Sequence, residues 1–247
     1  MKFRKKIILP FLATALFLTS SAQATLLSDL ILTDGSIQVG DKLFSNWLID
    51  SNVIENGILG RTAVNLANID VTGDASDIWN PSLTFASLNN ELSITQLAAL
   101  GASLNLAFHF DVTVLDPSMF WHDISLTANF IPGSSLGINN RSAHIHEILY
   151  TDSTLSGLPF AALDSHLIID DGTPTLDDSG IVFSQTFGPR RSGTVLKDID
   201  FSTEIAGEIV GMRSFTQTFS QVPEPSSVAL FGLALMGLAS RRFKKQT

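Results

Sequence analysis

The sequence predicts an all-β protein whose body is a single β-sandwich of jelly-roll or immunoglobulin-like type. Three observations predict it. Between residues 30 and 221, short apolar or alternating runs are separated by Gly, Pro, Asn, Asp and Ser, with no long stretch of helical period. Leu104, Leu106, Phe108, Phe110, Val112 and Val114 are six apolar residues spaced by two, which turns one face of a strand into a core. Seventeen phenylalanines stand against one tyrosine, a ratio suited to dry aromatic packing between two sheets.

Taken in order, strands are expected over residues 43–49, 63–71, 82–88, 103–115, 123–130, 143–151, 163–169, 180–186 and 204–219. Turn signals separate them: Asp34-Gly35, Gly40-Asp41, Asp116-Pro117, Ile131-Pro132-Gly133, Asp171-Gly172 and Gly188-Pro189. Within the body only residues 90–99 read as a helix, which Gly101 would end. There is no repeat of fixed period and no internal linker, so one sandwich is the economical reading. The chain has no cysteine, and its stability has to come from packing, with or without bound ions.

The two ends have a different character. Lys2, Arg4, Lys5 and Lys6 form a positive region, residues 7–18 an apolar one, and Ala22-Gln23-Ala24 the small-x-small pattern that signal peptidase reads. Residues 1–24 are therefore expected to be a signal peptide, with cleavage after Ala24 leaving Thr25 first in the mature chain. At the other end Val222-Pro223-Glu224-Pro225 precedes an apolar stretch at about 226–240, followed by Arg241, Arg242, Lys244 and Lys245. Two prolines cannot donate to a helix or a sheet ladder, so they hold Glu224 in an extended segment open to a processing enzyme. A helix over 226–240 would reach about 22 Å, short of a hydrocarbon core of about 30 Å but within range of snorkelling basic residues. The basic cluster would remain on the cytoplasmic side as an anchor.

This tail, residues 222–247, resembles the PEP-CTERM sorting signal of Gram-negative bacteria. Gly40-Asp41-Lys42-Leu43-Phe44 is also similar to a segment near the start of many proteins that carry it. The resemblance implies transient anchoring in the inner membrane, processing near Pro-Glu-Pro by an exosortase-like transpeptidase, and delivery to the cell surface or extracellular matrix. It further implies a setting of exopolysaccharide synthesis and biofilm.

Residues 25–221 form the acidic body. Seven basic against 23 acidic residues between 25 and 223 give a net of −16, a field that repels nucleic acid and favours cationic partners and divalent ions. Asp70, Asp74 and Asp77 lie close together in sequence, as do Asp170, Asp171, Asp177 and Asp178. Calcium takes six to eight oxygens from such loops, although neither group matches an EF-hand. The other reading of these residues is that they form turns and solvated surface charge, with no cofactor bound. His144 and His146 would share a strand face and could begin a transition-metal site, with His109, His122 or His166 as a third ligand. This His-x-His is similar to the first cupin motif, but Glu147 follows at once and so faces the other way. No Gly-x-Ser-x-Gly elbow and no cysteine nucleophile is present. Trp47, Trp79 and Trp121 could line a sugar-stacking surface, although Trp121 beside Phe120 and His122 suits a core at least as well. The expectation is a non-enzymatic structural or adhesive surface protein. A carbohydrate-binding or carbohydrate-active module, and a metal-dependent enzyme at His144/His146, are the alternatives.

Overall fold

The computed structural model describes residues 24–56, 61–95, 101–131, 141–170, 173–175, 183–204, 207 and 209–223, with positions 230, 232, 233 and 236 beyond them. The alternation at 104–114 forms a strand as its period requires. All six apolar side chains are buried, while Asn105, Asp111 and Thr113 face outward.

Fourteen strands are found among the described residues. The first seven are β1 (Thr25–Leu26), β2 (Ile37–Val39), β3 (Lys42–Glu55), β4 (Ile69–Asp74), β5 (Ser82–Ser87), β6 (Ser93–Thr95) and β7 (Ala102–Val114). The second seven are β8 (Met119–Phe130), β9 (Arg141–Tyr150), β10 (Ala161–Asp170), β11 (Thr173–Thr175), β12 (Phe183–Arg190), β13 (Ser192–Thr203) and β14 (Ile209–Pro223). They make two antiparallel sheets. One runs β1-β4-β5-β14-β8-β12, with β6 also pairing β14; the other runs β11-β10-β9-β13-β7-β3-β2. This is the sandwich that the sequence predicts.

Aromatic rings fill the space between the sheets. Phe85 of β5 stacks on Phe215 of β14 at 4.5 Å and meets Phe108 of β7 at 5.6 Å and Trp47 of β3 at 6.2 Å. Phe44 of β3 meets Phe219 of β14 at 5.0 Å. Burying each such ring contributes on the order of 1.5–3 kcal/mol. The phenylalanine excess is thus spent where composition placed it.

Several local expectations are corrected. The helix expected over residues 90–99 is replaced by a 3-10 turn at Leu88–Asn90 and the strand β6; residues 96–100 lie outside the described residues. A tertiary partner decides this, because β6 completes its hydrogen bonds on β14. Residues 66–68 form a 3-10 turn before β4. Gly188-Pro189 is not a turn between strands but an irregularity within β12, an edge strand, where a proline leaves no ladder bond unmade. A short helix not read from the sequence, α1 (Leu27–Leu32), buries Leu27 and Leu30. The strand β13 is not among the strands expected from the sequence, although it is central to the second sheet and pairs with both β7 and β9.

Two of the other turn signals hold, while Pro132-Gly133 and Asp171-Gly172 lie outside the described residues. Gly40-Asp41 joins β2 to β3, and Gly40 has the positive φ of 59° that a two-residue hairpin with glycine in its first central position needs. Asp116-Pro117 joins β7 to β8, with Asp116 Oδ1 accepting from the Ser118 amide at 2.8 Å.

Candidate functional site

Three regions bear on function: the outer face of the second sheet, its interior charges, and the end of β14. On the outer face, His144 and His146 of β9 lie side by side, ring centroids 6.4 Å apart. His144 Nε2 is 2.6 Å from Asp164 Oδ1 of β10. Across the other edge of β9, Asp200 is in register with His144 and Asp198 with His146. Asn105 of β7 donates to both carboxylates, at 3.0 Å to Asp198 and 2.8 Å to Asp200. Partial burial raises the pKa of Asp198, and the Asp200 charge adds to the effect. The result is a polar ladder of alternating His and Asp across three strands.

The third ligands proposed from sequence do not all join it. His109 is buried on β7 with Nδ1 2.8 Å from Asp50 Oδ2, and His122 belongs to β8 of the other sheet. His166 is in register with His144, but its side chain lies outside the described residues. Among the described residues no group of three or more His, Asp or Glu is placed to hold a metal. Glu147 does face the opposite way, into the core.

Of the first acidic group, Asp70 sits on β4, and Asp74 and Asp77 cap the loop that follows. Asp74 accepts from the Ser76 amide at 2.8 Å, and Asp77 from the Trp79 amide at 2.9 Å and the Asn80 side chain at 2.8 Å. Their carboxylates thus shape turns. Of the second group, Asp170 ends β10, its side chain undescribed, and Asp171, Asp177 and Asp178 lie outside the described residues.

Hydrogen bonding lowers the pKa of Asp77, chiefly through Asn80, and that of Asp74, chiefly through Ser76, from 3.8. A depressed carboxylate stabilises the fold fully above its unfolded value and loses that contribution as pH falls through the folded value. The gap in melting temperature between wild type and Asp77→Ala is therefore expected to shrink as pH is taken below 3.8. A gap that stays constant in that range would contradict this account.

The tryptophans separate. Trp47 and Trp121 are buried in the core, and only Trp79 is exposed, at 46%. A sugar platform made of all three is not present. Trp47 instead underlies an open depression of 620 Å³ edged by Leu32, Asn46, Leu48 and Ser153.

Inside the sandwich are charges that sequence reasoning missed. Lys197 of β13 is completely buried and its Nζ donates to Glu147 Oε2 of β9 and to Gln217 Oε1 of β14. Lys42 of β3, also fully buried, donates to Gln221 Oε1 of β14 and, at 3.1 Å, to Asp41. Burial lowers the pKa of both lysines, that of Lys197 strongly. A signal existed: Lys197 interrupts the inward series Val195, Ile199 and Phe201, Glu147 sits between Ile145 and Leu149, and Gln217 between Phe215 and Phe219. Period two requires each to face the core.

The last strand ends in the tail. β14 continues through Val222 and Pro223, in register with Phe120 and Met119 of β8. Glu224 and Pro225, and Arg241, Arg242, Lys244 and Lys245, lie outside the described residues, as do Ala22 and residues 1–23 generally. Ala24 is the first described position. Of the helix expected at 226–240, positions 230, 232, 233 and 236 have helical backbone. No helix among the described residues is long and apolar enough to cross a membrane.

Fold and terminus together define a β-sandwich whose last core strand leads directly into a sorting signal. The chain carries the PEP-CTERM protein-sorting motif, which its residues 221–245 match. The motif supports export, sorting to the cell surface and processing by an exosortase-type enzyme. No curated protein matches the chain. Among solved structures it is similar to the enzymatically active domain of tailspike protein 4 of bacteriophage CBA120, at 15% identity and TM-score 0.22, covering 69% of this chain and 19% of that one. It is also similar to the module TmCBM61 in complex with β-1,4-galactotriose, at 10% identity and TM-score 0.24, covering 71% of this chain and 100% of that one. A third is Trichoderma harzianum endoglucanase 3 of family GH12, at 6% identity and TM-score 0.24, covering 81% and 99%. The chain spans about a fifth of the length of the tailspike structure. At TM-scores this low, none of these likenesses bears on function.

Proposed function

We propose that the body is a non-enzymatic structural or adhesive unit of the cell surface or extracellular matrix in a Gram-negative, exopolysaccharide-producing bacterium. One observation carries the reading: the strand that leads into the sorting signal is interior to its sheet. β14 pairs with β6 over 209–211 and with β5 over 214–218 on one side, and with β8 as far as Pro223 on the other; beyond β5, the amides of Phe219 and Gln221 donate to the Pro81 and Trp79 carbonyls. A protein tethered through this strand passes tension into the middle of its core rather than into a peripheral loop. Its acidic surface keeps it soluble and suits cationic or cation-bridged matrix contacts.

The tail then acts as a temporary anchor, with Arg241, Arg242, Lys244 and Lys245 on the cytoplasmic side until the enzyme acts near Val222-Pro223-Glu224-Pro225. Protein collected from the cell surface is expected to lack the residues after about Pro225, and Pro223→Ala/Pro225→Ala protein to retain them in the membrane fraction. Intact mass of both, from fractionated cells, reads this directly. Surface protein with Lys244 and Lys245 still attached would refute the proposal.

A further inference from the structure

We propose that Lys197 and Gln217 become joined by an amide bond between Nζ and Cδ, promoted by Glu147, which staples the two sheets together at their centres. Three groups with matching chemistry meet there: an amine, a carboxamide and a carboxyl. All three side chains are wholly buried, and Lys197 Nζ contacts Glu147 and Gln217 at once. They come from β13, central to one sheet, and β14, central to the other, with β9 alongside.

The walls of the enclosure are apolar. Lys197 is flanked in register by Phe108, Glu147 by Leu163, and Gln217 by Leu83 and Leu126, every one of them buried. The ring of Phe215 lies 5.5 Å from Nζ. Burial favours the uncharged amine, which is the nucleophilic form. Among the described residues Gln217 Nε2 and Glu147 Oε1 have no hydrogen-bond partner, so the leaving nitrogen is unrestrained and the carboxyl has a free oxygen with which to move a proton. Holding the groups in contact removes the entropic part of the barrier, and exclusion of water removes competing hydrolysis.

The step balances without any outside reagent. The Lys197 ammonium gives a proton to the Glu147 carboxylate. The neutral amine attacks Cδ of Gln217 while the Glu147 carboxylic acid supports the developing charge on Oε1. The Cδ–Nε2 bond breaks and Nε2 leaves as ammonia, taking the proton shed by Nζ. An ammonium, a carboxylate and a carboxamide become a secondary amide, a carboxylic acid and ammonia, with no net change in charge or oxidation state. The product replaces a buried charge pair, costly to desolvate, by neutral groups. It also supplies a chain without cysteine with a covalent link between its sheets.

The neighbouring Lys42–Gln221 pair differs in two respects. Asp41 is partly exposed, and Gln221 Nε2 donates to the Ile78 carbonyl at 2.6 Å. Its leaving nitrogen is held, so the inference is confined to Lys197.

Tryptic mapping of the folded, then denatured, full-length chain tests it, whatever the protein does at the surface. Cleavage after Lys197 should be lost. Residues 192–213 should appear joined to the peptide that begins at Ser214, lighter than the two together by one ammonia. Lys197→Arg and Glu147→Gln proteins should give the unlinked peptides. Recovery of free peptide 192–197 as the main product from folded wild-type protein would overturn the proposal without recourse to any variant.

Discussion

Phe85→Ala is expected to lower unfolding free energy by about 3–5 kcal/mol, the range for removing a large aromatic ring from a packed core. The ring is wholly buried and touches both layers: Phe215 beside it on β14, and Phe108, Phe110 and Trp47 from the facing sheet. Most of these neighbours are rigid rings on paired strands, so they cannot collapse into the space that alanine leaves. Urea unfolding of wild type and variant measures the difference. Leu158→Ala, at a position 91% exposed, is the control and should stay within about 0.5 kcal/mol of wild type. A Phe85→Ala midpoint as close to wild type as that of the control would show that this aromatic layer does not hold the sheets together.

Glu147→Leu should be comparably damaging for a different reason. Among the described residues it leaves Lys197 with only the Gln217 carbonyl as a hydrogen-bond acceptor, and losing one member of a buried pair costs about 3–5 kcal/mol. Lys197→Met/Glu147→Leu, which removes both charges, should recover a large part of that loss. The comparison of these two variants does not depend on an amide bond at this site, since neither can form it. If the double variant were the less stable of the two, the lysine would not be an uncompensated buried group in Glu147→Leu. The account of Lys197 and Glu147 as a charge pair in apolar surroundings would then fail.

These two expectations arise from the same strands, yet they were unequally legible. Phe108 and Phe110 announce themselves, because an unbroken apolar alternation admits one reading. Lys197, Glu147 and Gln217 obey the same period of two but break the apolar pattern. The break at Lys197 leaves 192–203 without an apolar alternation from which a strand could be expected. Trp47 and Trp121 are ambiguous in the opposite way. Tryptophan suits both a sugar platform and a core, and nothing local to either residue distinguishes the two. In the fold, Trp47 stacks 4.4 Å from Phe110 and Trp121 lies 5.0 Å from Phe187, so both are claimed by the interior. The His-x-His strand was placed correctly. Which carboxylates would join it depended on strand order, which brings Asp164 and Asp198 to either side of His146.

Local chemistry determined the strands with clean alternation, the hairpin at Gly40-Asp41, the acidic body and the sorting signal. Each rests on residues adjacent or nearly adjacent in the chain, so the period of the backbone or the stereochemistry of one turn is enough to specify it. Only the tertiary structure decided that β14 lies between β5 and β8, that β13 lies between β7 and β9, and that a lysine, a glutamate and a glutamine from three strands meet in the core. Sheet order is set by the packing of many distant side chains at once, and no short window of sequence contains that sum.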